Sequence, residues 1–370
     1  MELTDKVIDS LHDDFATLNR CGLVCRSFLR RARYHRFRLV SLNQRSGARF
    51  DRLLNASPDI GAHVREMHVS VSTFERPPTW VDNLLPLMAP KMPNLVSVHL
   101  QGNGEFRAPS FTALHSVREL YFTHCEVHSM NDFITILGSL SNLQVCVLRD
   151  VLIAGDQVLT FNTPKVKKAP KLLEFSSVRL DSVLIADWLI KHNLLGTESL
   201  IVVPLQRIAI EGTGRFIQAA RASLKYFKIA MVSEKADMSF ASDLRATFGI
   251  SNLQKLESLE FGSPALYAAQ YGADDLSFGW VIELMDDVTS PLEKLAFALW
   301  AGDEEAVKGD DWIRIPEMIM SKFPHLKSIT FHVWGSEAPC KRITEIVKLR
   351  LSELDAKGML HFDAEADPEY

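Results

Sequence analysis

Residues 93–101 read PNLVSVHLQ, and their spacing decides the fold. Leu95, Val98 and Leu100 fit a pattern h-x-x-h-x-h, where h is apolar. The same spacing recurs at Val64/Met67/Val69, Val117/Leu120/Phe122 and Leu143/Cys146/Leu148. It returns at Leu224/Phe227/Ile229, Leu256/Leu259/Phe261, Leu292/Leu295/Phe297 and Leu326/Ile329/Phe331. In a chain that is 47% hydrophobic the spacing alone is weak evidence, so the setting of the copies carries the weight. Several share a lead-in: Pro93-Asn94-Leu95, Ser141-Asn142-Leu143, Pro324-His325-Leu326. The copies recur every 22 to 36 residues, except across 143–224, where Leu172/Phe175 and Leu200/Val202 mark two weaker ones. Helical spacing fills the intervals. Val81/Leu84/Leu85/Met88, Met130/Phe133/Ile134/Leu137 and Phe278/Val281/Ile282/Met285 follow i, i+3, i+4, i+7. Ile315/Met318/Ile319 and Ile343/Ile346/Val347/Leu351 continue the series.

A short strand alternating with a helix at a period near 30 resembles a leucine-rich repeat, and implies an α/β solenoid of short parallel strands over residues 43–362. Each unit needs its neighbours to cover its apolar face. A doubly wound α/β sheet uses the same alternation. The solenoid is favoured because the strands are half-buried in pattern and no glycine-rich phosphate turn follows the first one. The repeat family's Asn/Cys ladder position is filled only by Asn103 and Cys125, so the repeats are divergent. Strand side chains alternate. Leu259 should therefore face the helices and Glu260 the solvent, and one open face should carry Ser97/His99/Gln101, Glu119/Tyr121/Thr123, Val145/Val147/Arg149, Tyr226/Lys228, Ser258/Glu260 and Ser328/Thr330/His332. From this row His99, Tyr121, Arg149, Tyr226 and Lys228 are the candidate substrate-binding residues, Tyr and Arg being types enriched in binding hot spots. Residues 363–370, DAEADPEY, form an acidic tail.

The first 42 residues differ from the rest. Leu3, Val7, Ile8 and Leu11 share one helical face, with Thr4 as its cap. Asp14 can cap a second segment in which Leu18, Cys21, Cys25 and Phe28 fall at helical spacing. So small a block buries little apolar surface alone and needs a cover. It resembles an F-box: Glu2-Leu3, Val7, Leu11, Asp13-Asp14, Leu18, Cys21 and Leu23-Val24-Cys25-Arg26-Ser27-Phe28 follow the family pattern. Ala32-Arg33-Tyr34-His35-Arg36-Phe37 is similar to the tail of the large fungal families. The family's usual Leu-Pro opening does not stand ahead of Leu3. The resemblance implies docking on a Skp-type adaptor through Leu3, Val7, Leu11, Leu23, Val24 and Cys25, with Phe28 holding the helices together. Combined with leucine-rich repeats, it implies a non-catalytic substrate receptor of a cullin–RING ubiquitin ligase whose repeats hold a protein substrate.

A net charge of −5 and a pI of 6.2 argue against a general nucleic-acid binder. Ten arginines and one acid lie between Arg20 and Arg52; eleven acids and two lysines lie between Asp274 and Asp311. The basic stretch is read as a solvated surface or a docking rim, and the acidic one as a solvated loop or a weak rim for a basic partner. No segment reaches 18 apolar residues and the N-terminus has no signal-peptide pattern, so a cytoplasmic or nuclear protein without a membrane span is expected. Five cysteines without C-x-x-C spacing read as reduced.

No nucleotide-loop, zincin or nucleophile-elbow motif is present, and no cofactor is expected. Gly102-Asn103-Gly104 and Gly212-Thr213-Gly214 read as turns. His124-Cys125-x-x-His128 has metal-like spacing, but Cys125 is better placed inward as a ladder residue with its histidines outward. Asp286-Asp287 and Asp310-Asp311 diverge as neighbours in sequence. Lys165, Lys167, Lys168 and Lys171 form a basic loop. The competing readings are an F-box-like scaffold without a ligase role, and a hydrolase or transferase on an α/β sheet.

Overall fold

The computed structural model describes residues 3–72, 79–154, 168–177, 181–231, 238–262, 279–300, 304–309 and 311–365. The chain divides into two compact units, Met1–Pro170 and Lys171–Tyr370. In the first, helices α1 (Leu3–Asp9), α2 (Phe15–Cys21) and α3 (Arg26–Arg38) precede the sheet. Then come β1 (Leu39–Leu42), α4 (Gln44–Ala56), β2 (Glu66–Ser70), α5 (Trp80–Met88), β3 (Ser97–Gln101), β4 (Glu105–Phe106), β5 (Glu119–Val127), α6 (Met130–Ser139) and β6 (Val145–Ile153). Strands β1, β2, β3, β5 and β6 pair in that order, all parallel, with β4 on β5.

The second unit holds β7 (Leu172–Ser176), α7 (Asp181–Lys191), β8 (Ser199–Leu205), α8 (Ile210–Ala220), β9 (Tyr226–Met231), α9 (Met238–Phe248) and β10 (Ser258–Phe261). It continues through α10 (Gly279–Asp287), β11 (Lys294–Trp300), α11 (Glu304–Lys308), α12 (Asp311–Lys322), β12 (Ser328–Trp334), α13 (Glu337–Arg350), α14 (Ser352–Ala356) and β13 (Leu360–Glu365). Among the described residues its strands β7 to β13 also pair in parallel and in sequence order. This is an α/β solenoid with a parallel sheet flanked by helices.

The repeat pattern governs the core. Every residue of the eight full copies is buried. Pairing puts equivalent positions opposite each other: Met67 with Val98, Val98 with Leu120, Leu120 with Cys146, and in the second unit Phe227 with Leu259 and Leu259 with Leu295. The last apolar position repeats as phenylalanine, so Phe261, Phe297, Phe331 and Phe362 stack at ring separations of 5.7, 5.4 and 5.2 Å. Helices supply the cover: Phe133 of α6 lies 6.5 Å from Phe122, and Trp312 of α12 lies 5.4 Å from Phe297.

The lead-in has a physical role. Asn94 donates from Nδ2 to the Ala62 carbonyl (2.8 Å), Asn142 to that of His115 (2.9 Å), and Ser223 from Oγ to that of Leu195 (2.7 Å). In each case the residue before the first apolar position reaches a carbonyl in the preceding repeat. These bonds satisfy backbone acceptors between strands.

Several expectations change. In the weak copies the first apolar position is taken by buried Pro170 and Thr197, and the inward residues of β7 are Leu173 and Phe175; Leu172 is only half-buried. Leu39–Leu42, counted with the helical block, form the first strand of the sheet. Asp363–Glu365, counted with the tail, belong to β13, and the remainder of that tail lies outside the described residues. Thr4 lies inside α1 and is not its cap, whereas Asp14 caps α2 by accepting from the Thr17 N–H at 2.9 Å. Asn103 is exposed; Cys125 is buried, its thiol 3.6 Å from the Leu100 carbonyl, as a ladder residue requires. Gly102, with φ of 106°, does sit in a bend. Gly212–Gly214 is no turn: it lies within α8, where a Cβ on Gly212 would stand 2.6 Å from Val183 of α7, and one on Gly214 2.8 Å from the Thr247 carbonyl of α9. Absent side chains let three helices close up. Asp286 and Asp287 each hold a cation, Lys322 and Arg245. The loop of Lys165 and Lys167, Asp310, and Phe278 fall outside the described residues.

Leu259 is buried in the middle of the second unit's sheet. Leu259→Ala is expected to cost about 2–5 kcal/mol in urea-induced unfolding, the range for truncating a packed leucine that leaves a cavity.

Candidate functional site

Three regions hold the residues singled out from the sequence. The first is the helical module. Ile8, Leu18 and Ala32, one from each helix, form its core, with Leu11 and Phe28 packed against them. That leaves other apolar side chains outside: Val7 is 56% exposed, Phe15 52%, Leu23 89% and Val24 67%, and Cys25 is exposed. Leu3 starts α1; its side chain is not described. Of the six candidate docking residues, Val7, Leu23, Val24 and Cys25 face out, while Leu11 is shared with the core. Phe15, three residues before buried Leu18, fits the spacing of that helix's inner face, yet at the first position of α2 it is exposed, which the spacing does not show.

A charged clasp holds the module together. Asp9 of α1 accepts from Arg31 of α3 through both oxygens, at 2.5 and 2.6 Å, and the His35 ring Nε2 lies 2.7 Å from the same carboxylate. The Arg31 bonds first, and His35 second, hold the Asp9 carboxyl at about 2. The bidentate fork fixes orientation as well as distance. Cys25 stands at the start of α3, its thiol drawn below its ordinary value chiefly by the Ser27 hydroxyl 3.1 Å away.

The second region is the open face of the first unit's sheet. His68, His99 and Tyr121 occupy one row across β2, β3 and β5. The His68 and His99 rings are 4.3 Å apart, and His99 stacks on Tyr121 at 4.1 Å and 4°. Glu66 reaches both imidazoles with one oxygen, 2.7 Å from His68 Nε2 and 3.3 Å from His99 Nε2. Ser97 Oγ is 3.1 Å from that same His99 nitrogen. Burial first, and His68 second, lower the affinity of His99 for a proton. The Ser-His-Glu grouping is not a nucleophile relay, because a relay uses the two ring nitrogens for different partners and here both converge on Nε2. Arg149 is exposed in the next row, with Gln101 and Thr123. Val147, expected on the open face, is buried.

In the second unit Tyr226 and Lys228 of β9 meet on Glu260 of β10. The Tyr226 hydroxyl donates to Oε2 at 2.5 Å, and Lys228 Nζ lies 2.6 Å from Oε1. Glu260 is only 7% exposed. This corrects the reading of Glu260 as solvated: alternation puts it on the open face, but its long neighbours cover it. Burial first, and the Glu260 charge second, push the Tyr226 phenol far up, so it is a hydrogen-bond donor. The five candidate substrate residues thus form a His99–Tyr121 stack with Arg149 one row on, and separately a Tyr226–Lys228 pair.

The His124-Cys125-x-x-His128 spacing does not make a metal set. His124 pairs with Asp150 at 2.9 Å, His128 with Glu105 at 2.7 Å, and burial pushes the Cys125 thiol up to about 12. His124 and Asp150 share positive φ values of 51° and 50°, so β5 and β6 kink together and turn these side chains outward. Among the described residues no helix is long and apolar enough to cross a membrane.

No family model matches the chain. No curated protein matches it. Among solved structures it is similar to a chain of the crystal structure of the Rad7 and Elc1 complex in yeast, with 12% identity and a TM-score of 0.31 over 90% of this chain and 88% of that one.

Two outcomes are expected. A folded pKa of about 2 for Asp9, against an ordinary 3.8, means the clasp stabilises the fold fully above pH 3.8 and loses that contribution as pH falls through about 2. Asp9→Asn should be less stable than the parent in urea unfolding at pH 5, with the gap closing toward pH 2; a gap independent of pH would show that it does not come from the ionised Asp9 carboxylate. Glu260→Ala removes the acceptor of Tyr226 and the counter-charge of Lys228, and should cost about 1–3 kcal/mol in the same measurement.

Proposed function

We propose that this chain is the substrate-recognition subunit of a cullin–RING ubiquitin ligase of the SCF type. Its helical module, α1 to α3, acts as an F-box docking on a Skp-type adaptor, and the strands β1 to β13 with their helices hold a protein substrate. The observation that carries the reading is the division of apolar side chains in the helical module. Ile8, Leu18 and Ala32 satisfy its core, while Val7, Leu23 and Val24 are left in solvent. Interface energy concentrates in a few such anchors. The adaptor set is Leu3, Val7, Leu11, Leu23, Val24 and Cys25.

Substrate would meet the open face of the first unit's sheet through His99, Tyr121 and Arg149, and that of the second unit's sheet through Tyr226 and Lys228. Rings already stacked and charges already paired are rigid, which lowers the ordering cost of binding. The chain would do no chemistry itself. Holding a substrate beside a charged ubiquitin-conjugating enzyme raises the effective concentration of its lysines. The setting would be cytoplasmic or nuclear.

Val24→Asp should abolish co-purification with a Skp-type adaptor and leave the thermal unfolding of the repeats unchanged. Undiminished capture by the variant would overturn the assignment. A parent chain that folds but captures no adaptor, even with Leu-Pro placed before Leu3, would leave an interaction scaffold without a ligase role.

A further inference from the structure

Glu66, His68 and His99 each offer one ligand atom, and the three atoms lie within 4.8 Å of one another. We propose that these residues form a binding site for a divalent transition-metal ion of the zinc type, with three protein ligands and an open fourth position.

The geometry fits the ion. Zinc bonds to imidazole nitrogen and carboxylate oxygen of about 2.0–2.1 Å place tetrahedral ligand atoms about 3.3 Å apart. Glu66 Oε1 already stands 3.3 Å from His99 Nε2. Its 2.7 Å approach to His68 Nε2 opens to the required span by a small rotation of the carboxylate. Two imidazoles and one carboxylate are the donor set of zinc and its first-row neighbours, and too nitrogen-rich for magnesium or calcium.

The ligands are also held in advance. Glu66 and His68 are two residues apart on β2 and so share a face; His99 is directly opposite His68 on β3. Stacking on Tyr121 fixes the plane of the His99 ring. All three come from paired strands and none from a loop, which gives the positional precision a metal requires. Each is half-buried, so the fourth position opens onto the sheet face and takes water or a side chain from a bound molecule. The inference is independent of adaptor docking.

The test uses the full chain, stripped with EDTA and desalted. Titration with Zn²⁺ in a calorimeter should show one tight site per chain. Co²⁺ should give the intense visible bands of a four-coordinate ion, and added imidazole should shift them by entering the open position. Glu66→Gln, close to isosteric, and His99→Ala should each weaken Zn²⁺ binding by at least about tenfold. His124→Ala, which removes an exposed histidine elsewhere, should leave it unchanged. Circular dichroism in EDTA should show all variants folded; should His99→Ala unfold, Glu66→Gln decides alone. Absence of tight zinc binding, or equal affinity in Glu66→Gln and the parent, would overturn the site.

Discussion

The register between neighbouring strands is the constraint on which everything else rests. Within each unit the paired strands run parallel with equivalent repeat positions opposite one another. A slip of one residue would turn every apolar side chain to the open face and every polar one to the helices. Two devices hold the register: rows of matching apolar residues on the covered side, and the lead-in Asn or Ser reaching a carbonyl of the preceding repeat. A unit without its neighbours would lose both, which ties the stability of each repeat to the adjacent one.

The same alignment builds the open face. Identical offsets bring Phe261, Phe297, Phe331 and Phe362 into a stack inside, and His68, His99 and Tyr121 into a row outside. Polar residues at equivalent positions are forced within hydrogen-bonding distance across strands. Glu260 gathers Lys228 directly opposite it and Tyr226 on the diagonal, and Glu66 gathers His68 two residues along its own strand and His99 on the diagonal.

Much of this is legible in the chain. The eight apolar triples, the faces of α5, α6, α10, α12 and α13, and the inward Cys125 follow from periodicity, because burial and periodicity have the same cause. What escaped depends on contacts between distant residues. Pro170 and Thr197 fill core places whose usual occupants are aliphatic, and only the pairing of β7 with β8 reveals them. Gly212 and Gly214 look like a turn until Val183 and Thr247 come close. His68 and His99 are separated by a whole repeat, and nothing local marks them as partners. For Glu260, alternation gives the direction of the side chain but not the reach of the tyrosine and lysine beside it. In the helical module Ile8, Leu18 and the outward Leu23-Val24 were legible; buried Ala32 and exposed Phe15 were not, and the single segment read through Leu18, Cys21, Cys25 and Phe28 breaks between α2 and α3, with Cys25 exposed.

Helix α3 runs into β1 without an intervening residue, Arg38 to Leu39. The junction is pinned by the Arg65 N–H on the Arg38 carbonyl at 2.9 Å and by Arg33 on Asp59, also at 2.9 Å. The first unit therefore contains a ruler. Its helical end and its histidine row are separated by a whole number of strand spacings of about 4.8 Å each. Gaining a repeat between them would change that separation by one graduation and leave both ends intact. Reach in such a molecule is digital, set by repeat number and not by the flexibility of a linker.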